Sequence, residues 1–371
     1  MQYNRNRMWP MIAASMMTLT QLSFADTESA QMRHLENRVT ALEQRKGASG
    51  VINPSGRPQV RNGMNLFFTG DVLLWQAHED GLPLFIENKN NGLTENLNDA
   101  HTKNLDWAWD WGFRLGAGYN TPHDGWDLYL NWMRVYGRAK ASEHVDIDDT
   151  LWPTLSHSGA VFNGVSGAGP YEKARAHWNL QLNQIDFELG REFFISKWMT
   201  LRPHIGLRTD WINQKLHLRY KDFEGNPDQD YELRLRNHFW GLGLAAGLDT
   251  QWGLGCGFSI FGNGSVACLY GFHKLDRDDK LSNDTSFKYV DLNDNYRISR
   301  VVGDLELGIR WDKMFQDDEF HLGLQAGWEN HVYFGQNQFP RFVGDVAIGN
   351  MIANQGDLTF QGWTVSARFD F

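Results

Sequence analysis

The chain has 371 residues with 16 Trp, 23 Phe and 37 Gly, yet its mean hydropathy is only −0.50. Asp and Glu (45) outnumber Lys and Arg (35), a formal net charge of −10, which argues against a nucleic-acid binder with its basic stripe. Many aromatics and glycines at low mean hydropathy suit a β protein whose apolar and polar residues alternate.

Residues 1–25 read as a cleaved export signal. Arg5 and Arg7 give a positive start, 8–22 is largely apolar, and Ser23-Phe24-Ala25 places small residues three and one before the cut. A short buried helix or anchor is the alternative. Residues 26–46 carry Met32, Leu35, Val39 and Leu42 at 3-4-3 spacing, the seam of a short α-helical coiled coil. Inside it "RVTALE" (Arg38 to Glu43) resembles the Arg-apolar-x-x-apolar-Glu pattern of short trimeric coiled coils. A homotrimer held by Met32, Leu35, Arg38, Val39, Leu42 and Glu43 is therefore expected, against an isolated amphipathic helix that would be marginal alone. The Gly/Pro/Ser-rich stretch 47–63 reads as a linker.

From residue 64 to 371 the dominant period is two. In 106–119, Trp107, Trp109, Trp111, Phe113, Leu115, Ala117 and Tyr119 share one face, opposite Asp110, Arg114 and three glycines. In 125–138 Trp126, Leu128, Leu130 and Trp132 share a face. In 178–189 the phase slips between Leu182 and Ile185, which predicts a bulge. Residues 199–211, 239–248, 303–311 and 320–328 each repeat the alternation, and 239–248 turns Gly241, Gly243 and Gly247 to the polar side. No window after residue 25 is apolar enough for a spanning helix. Aromatics at both ends of apolar faces are what membrane interfaces select.

Short connections near 120–125, 194–198, 250–255 and 312–319 alternate with long ones near 78–105, 140–173, 213–232, 274–288 and 335–357. The expected fold is all-β: a transmembrane antiparallel up-and-down β-barrel of ten strands, within a range of ten to sixteen, preceded by the short coil. Apolar stretches at 82–86 and 342–348 could add strands. The stretch "QGWTVSARFDF" puts Trp363, Val365, Ala367, Phe369 and Phe371 on one face. With lipid as the solvent of that face, the strand also resembles the signal read by the bacterial barrel-assembly machinery, through Trp363, Val365, Phe369 and Phe371. A soluble β-sandwich is the alternative. Cys256 and Cys268, twelve residues apart, would stand roughly 40 Å apart on one strand, too far for a bridge; free thiols are expected, with intermolecular linkage as the other reading.

"FFTGDVLLWQAHEDGLPL", "FRLGAGYNTPHDGWDLYLNWM" and "HWNLQLNQIDFELGREFFISKWMTLRPHIGLR" resemble the Legionella-type major outer membrane protein family, which includes the similar barrels of environmental chlamydiae. The resemblance implies an outer-membrane barrel with porin-like behaviour and a structural part in the envelope, with outer-membrane lipid as its surroundings. Disulfide cross-linking is a theme of such envelopes, from which a chain with two cysteines departs. The family brings no catalytic motif.

Inward-facing candidates for a pore lining are Asp110, Arg114, Asp186, Glu188, Arg202, His204, Arg208, Asp210, Asp304, Glu306 and Arg310. Rings of such charges set ion selectivity in a water-filled pore. The alternative is that they pair and close a narrow barrel, since about eight strands are filled by side chains. The glycine face of 239–248 would widen the lumen slightly. The long loops, rich in Asp, Asn and aromatics, could bind a host or surface ligand. His78, His101, His144 and His157 in those loops match no metal or nucleophile spacing, and no cofactor is expected.

Overall fold

The computed structural model describes residues 53–89, 99–122, 124–145, 149–157, 161–162, 165–166, 170–223, 229–281, 284–343, 350–353 and 355–371. The export signal, the coil at 26–46 and the first part of the linker lie outside the described residues. No described helix is long and apolar enough to cross a membrane.

Ten long strands build the wall: β1 (Leu66–Glu79), β2 (Trp109–Asn120), β3 (Trp126–His144), β4 (Tyr171–Arg191), β5 (Met199–Phe223), β6 (Tyr231–Gly255), β7 (Phe258–Leu281), β8 (Asp284–Phe315), β9 (Phe320–Asn337) and β10 (Gly356–Asp370). Each pairs antiparallel with its chain neighbour, and β10 pairs with β1, closing the barrel. One belt shows how the register aligns like residues: Val365 opposite Val72, Val72 opposite Phe113, Phe187 opposite Leu207, Leu207 opposite Leu244, Leu244 opposite Cys268, Cys268 opposite Val301. All of these sit on the outer surface, where lipid replaces water. Closure satisfies ladder groups that hydrocarbon could not.

Aromatic side chains edge this belt. At the long-loop end Trp109 meets Trp328 edge-on at 6.0 Å, Trp328 meets Trp363 at 5.3 Å, and Trp240 stacks on Phe272 at 5.9 Å. At the short-turn end Trp198, Trp252 and Phe258 are exposed. The strand 361–371 lies as its alternation requires, with Trp363, Val365 and Phe369 outward. Trp107 departs from the reading of 106–119. The ladder breaks at Ala108, and Trp107 turns inward to meet Trp178 at 5.0 Å.

Several strands run far past their sequence-predicted ends. β5 continues to Phe223 and β8 spans 32 residues, so much of the expected loops 213–232 and 274–288 is strand. Outside the membrane both faces of a strand can be polar, so the apolar period fades while the hydrogen-bonded ladder persists. The turn expected near 250–255 falls instead at Cys256 and Gly257, both with positive φ. Cys256 thus sits in a turn and Cys268 on the lipid face of β7; both thiols are free and exposed. Among the described residues, the apolar stretches noted in the loops add short strands, Phe85–Asn88 in one and Pro340–Phe342 paired with Met351–Ala353 in the other.

The bulge expected in 178–189 is absent: β4 holds unbroken register with both β3 and β5. The face does not slip; its surroundings change. Trp178, Leu180 and Leu182 point inward and are buried, as are Gln184 and Asp186 below them, while Phe187 and Leu189 point to lipid. The lumen is mostly aromatic and aliphatic in its outer part, where Arg277 and Asp279 form a fully buried ion pair at 2.7 Å, and charged in its inner part, so apolarity changes face along one continuous strand.

Residues 53–63 follow the short-turn end. Pro54 O accepts from Phe194 N at 3.0 Å, Gly56 N donates to Glu192 O at 3.1 Å, and Arg61 N donates to Asp318 O at 2.7 Å. Arg57 donates to Thr121 O at 2.9 Å and Trp126 O at 3.1 Å.

Candidate functional site in the barrel lumen

The inward alternate residues of the wall meet across a cavity of about 250 Å³. Three arginines organise it. Arg114 from β2 reaches Asp71 of β1 at 2.9 Å and Glu329 of β9 at 2.7 Å. Arg208 from β5 reaches Asp186 of β4 at 2.7 Å and Asp304 of β8 at 2.6 Å. His331 joins the two sets, 2.7 Å from Asp304 and 2.8 Å from Glu329. The result is one chain of charge-assisted contacts across the lumen. Nearer the short turns, Arg202 gathers Asp127 at 2.6 Å, Asp249 at 2.9 Å and Glu188 at 3.1 Å. His204 stands 3.5 Å from both Glu188 and Asp249. Around each of these three arginines carboxylates outnumber guanidinium groups, which leaves the lumen negative.

At the inner mouth Arg310 binds Asp312 at 2.8 Å, Arg368 binds Asp370 at 2.7 Å, and His321 lies 3.0 Å from Asp312 and 2.7 Å from Asp370. Burial makes such networks costly unless every member is paired.

Ten of the eleven residues read as lumen candidates lie in or beside this interior. Glu306 accepts from Asn263 at 2.8 Å, and Asp210 is fully buried beneath the apolar part. Asp110 stands apart. It is buried, but its partner is Arg138, an exposed residue reached where β2 and β3 separate beyond Phe113. The reading missed Asp71, Asp127, Asp249, Asp312, Glu329, His331, Arg368 and Asp370. Parity would have found Asp127 and Asp370, which alternate with apolar residues already singled out. Glu329 and His331 follow Trp328, past the end assigned to that strand.

Above the charges lies a stopper of fully buried side chains. Trp75, Trp178, Tyr220, Tyr231, Tyr333 and Phe360 come from the wall, and Phe85 and Phe339 from segments folded in from the long-loop end. Trp178 Nε1 donates to Glu79 at 2.9 Å, joining β4 to β1, and Tyr220 OH donates to Leu84 O at 2.7 Å, tying wall to inserted segment. The glycine face of β6 does not widen the lumen: the Phe239 ring fills the space beside Gly241, and the His204 imidazole that beside Gly247. His78 and His101 sit exposed, beside Asp80 at 3.3 Å and Asp99 at 3.9 Å. Among the described residues no group of three or more His, Cys, Asp or Glu could hold a metal.

This chain belongs to the family described as the Legionella pneumophila major outer membrane protein precursor, whose pattern it matches over residues 57–371. It is an outer-membrane β-barrel protein, located in the cell outer membrane. Among solved structures it is similar to a major outer membrane protein from Thermus thermophilus, at 10% identity, covering 82% of this chain and 99% of that one with a TM-score of 0.28. It is also similar to the translocator domain of the autotransporter NalP from Neisseria meningitidis, at 11% identity, 93% and 98% coverage and a TM-score of 0.30. No curated protein matches the chain.

Proposed function

We propose that the barrel is a structural component of the outer membrane and a porin-like path for small solutes, cations before anions, held shut in the present conformation. The observation that carries this reading is a charged lumen beneath a stopper of buried aromatic side chains. A wall of ten strands leaves little room, and Trp75, Trp178, Tyr220 and Tyr231 occupy the outer part without exposure. Phe85 and Phe339 belong to inserted segments, so they can leave without breaking a rung between wall strands. The excess of lumen carboxylates favours cations.

Planar-bilayer conductance tests the proposal. Wild-type protein should open rarely and in small steps, and Phe85→Gly with Phe339→Gly should conduct more often and remain cation-selective. A large, steady wild-type conductance would remove the stopper from the account. Silence in both proteins, with the barrel folded, would leave a closed structural barrel. We further propose that the coil at 26–46 assembles three chains. Light scattering in mild detergent should then find a trimer that Leu35→Asp with Leu42→Asp converts to a monomer.

A further inference from the structure

Among the described residues, the wall opens along a seam between β8 and β9 above their last rung. β8 and β9 are paired from Phe315 and Phe320 up to Val302 and Tyr333. Beyond that rung β8 continues paired with β7, and the β9–β10 register jumps between Tyr333 and Asn337. Gly335 turns β9 away with a φ of 64°, and its N–H donates to Asp357 Oδ1 at 2.7 Å. The gap contains a cleft of about 590 Å³ lined by Ile298, Arg300, Gly335, Gln338, Asp80 and Asp357, among others.

Arg300 is 6% exposed, and its Nε and Nη2 have no hydrogen-bond partner among the described residues. Its Nη1 would stand 3.2 Å from a Cβ on Gly335, so the guanidinium reaches the seam. Leaving a buried charged donor unpaired is costly, and unpaired buried polar groups of native proteins call for an explanation such as an absent ligand. The neighbourhood offers further unused capacity. The Gln336 side-chain amide, beside Gly335 in the chain, is fully buried with neither atom paired among the described residues. Asp80 and Asp357, already engaged by His78 at 3.3 Å and by the Gly335 N–H at 2.7 Å, line the same cleft.

We propose that this seam is a carboxylate-binding site in which the Arg300 guanidinium takes the two oxygens of a ligand. A guanidinium fork matches a carboxylate bidentately. Asp80 and Asp357 repel any anion, and a dianion such as phosphate about twice as strongly, which favours a ligand of single charge. The carboxylate can come from a free solute or from an amphiphile whose tail lies along Val301 and Phe334, exposed on the outer surface on either side of the seam.

The test uses the full chain in lipid nanodiscs, titrated with acetate or laurate carrying carbon-13 at the carboxyl and followed by the carboxyl resonance. Saturable binding of acetate identifies a free solute; saturation by laurate alone identifies an amphiphile. In either case Arg300→Gln should weaken binding at least about tenfold, the loss of a bidentate charged contact. Arg300→Lys keeps the charge without the fork and should fall between the two. The proposal is overturned if neither probe saturates the wild type, or if Arg300→Gln binds as tightly as wild type. Should Arg300→Gln lose the heat-dependent electrophoretic shift of a folded barrel, Arg300→Lys decides alone, and undiminished affinity there overturns the site. The measurement is at equilibrium and independent of conductance, so its failure and that of the porin-like reading are separate.

Discussion

Removing Arg208 distinguishes a filled lumen from a watery one. The side chain is 5% exposed and holds Asp186 at 2.7 Å and Asp304 at 2.6 Å. Arg208→Met leaves two buried carboxylates facing each other without their cation. Breaking one partner of a buried ion pair costs about 3–5 kcal/mol. Some compensation survives, because Asp304 keeps His331 at 2.7 Å and Ser265 at 2.6 Å, and Asp186 keeps Gln184 at 2.7 Å. The lower end, about 3 kcal/mol, is expected. Adding Asp186→Asn removes one stranded charge and should recover at least about 1 kcal/mol. Guanidinium unfolding in detergent, followed by tryptophan fluorescence, gives both values. A loss under about 1 kcal/mol, as for an exposed pair, would refute the argument. The arginine would then be solvated, and the lumen an open aqueous path.

Trp178→Ala, which removes a fully buried ring and a 2.9 Å donor to Glu79, should cost about 3–5 kcal/mol in the same assay. Gly247→Val would collide with the His204 imidazole, costing about 1–3 kcal/mol; an unchanged unfolding midpoint would mean that His204 has room to move. In the outer loops, the Lys103 hydrogen bond holds the Glu87 carboxyl below its ordinary value of 4.5, across a 2.8 Å ion pair. Stability from this pair is present above that ordinary value and lost as pH falls through the lowered folded value. The amides of Phe85–Asn88 should therefore lose protection, relative to their intrinsic exchange rates, as pH falls from about 6 through the lowered folded value, by an amount worth under about 1 kcal/mol, and Lys103→Met should abolish the loss.

Much of the barrel was legible in the chain because lipid imposes a simple rule on it. A strand in hydrocarbon must alternate, and aromatics must mark where hydrocarbon ends, so 106–119, 125–138, 199–211 and 361–371 announced themselves. Ten strands followed from alternating short and long connections. The same rule hid the rest. Above the membrane it lapses, so the outer halves of β5 and β8 looked like loop. Inside the outer half it reverses, so Trp178, Leu180 and Leu182 looked like a slipped strand.

The amino-acid sequence by itself determined that the chain would meet lipid with one face of each strand, and which face, because burial in hydrocarbon depends on a local period of two. Only the tertiary structure decided what fills the barrel. Arg114 and Glu329, or Arg208 and Asp304, come from strands far apart in the chain, and pairing depends on the register and curvature that bring them across a narrow lumen. The same closure set the stopper above them and left Arg300 at the seam with donors to spare.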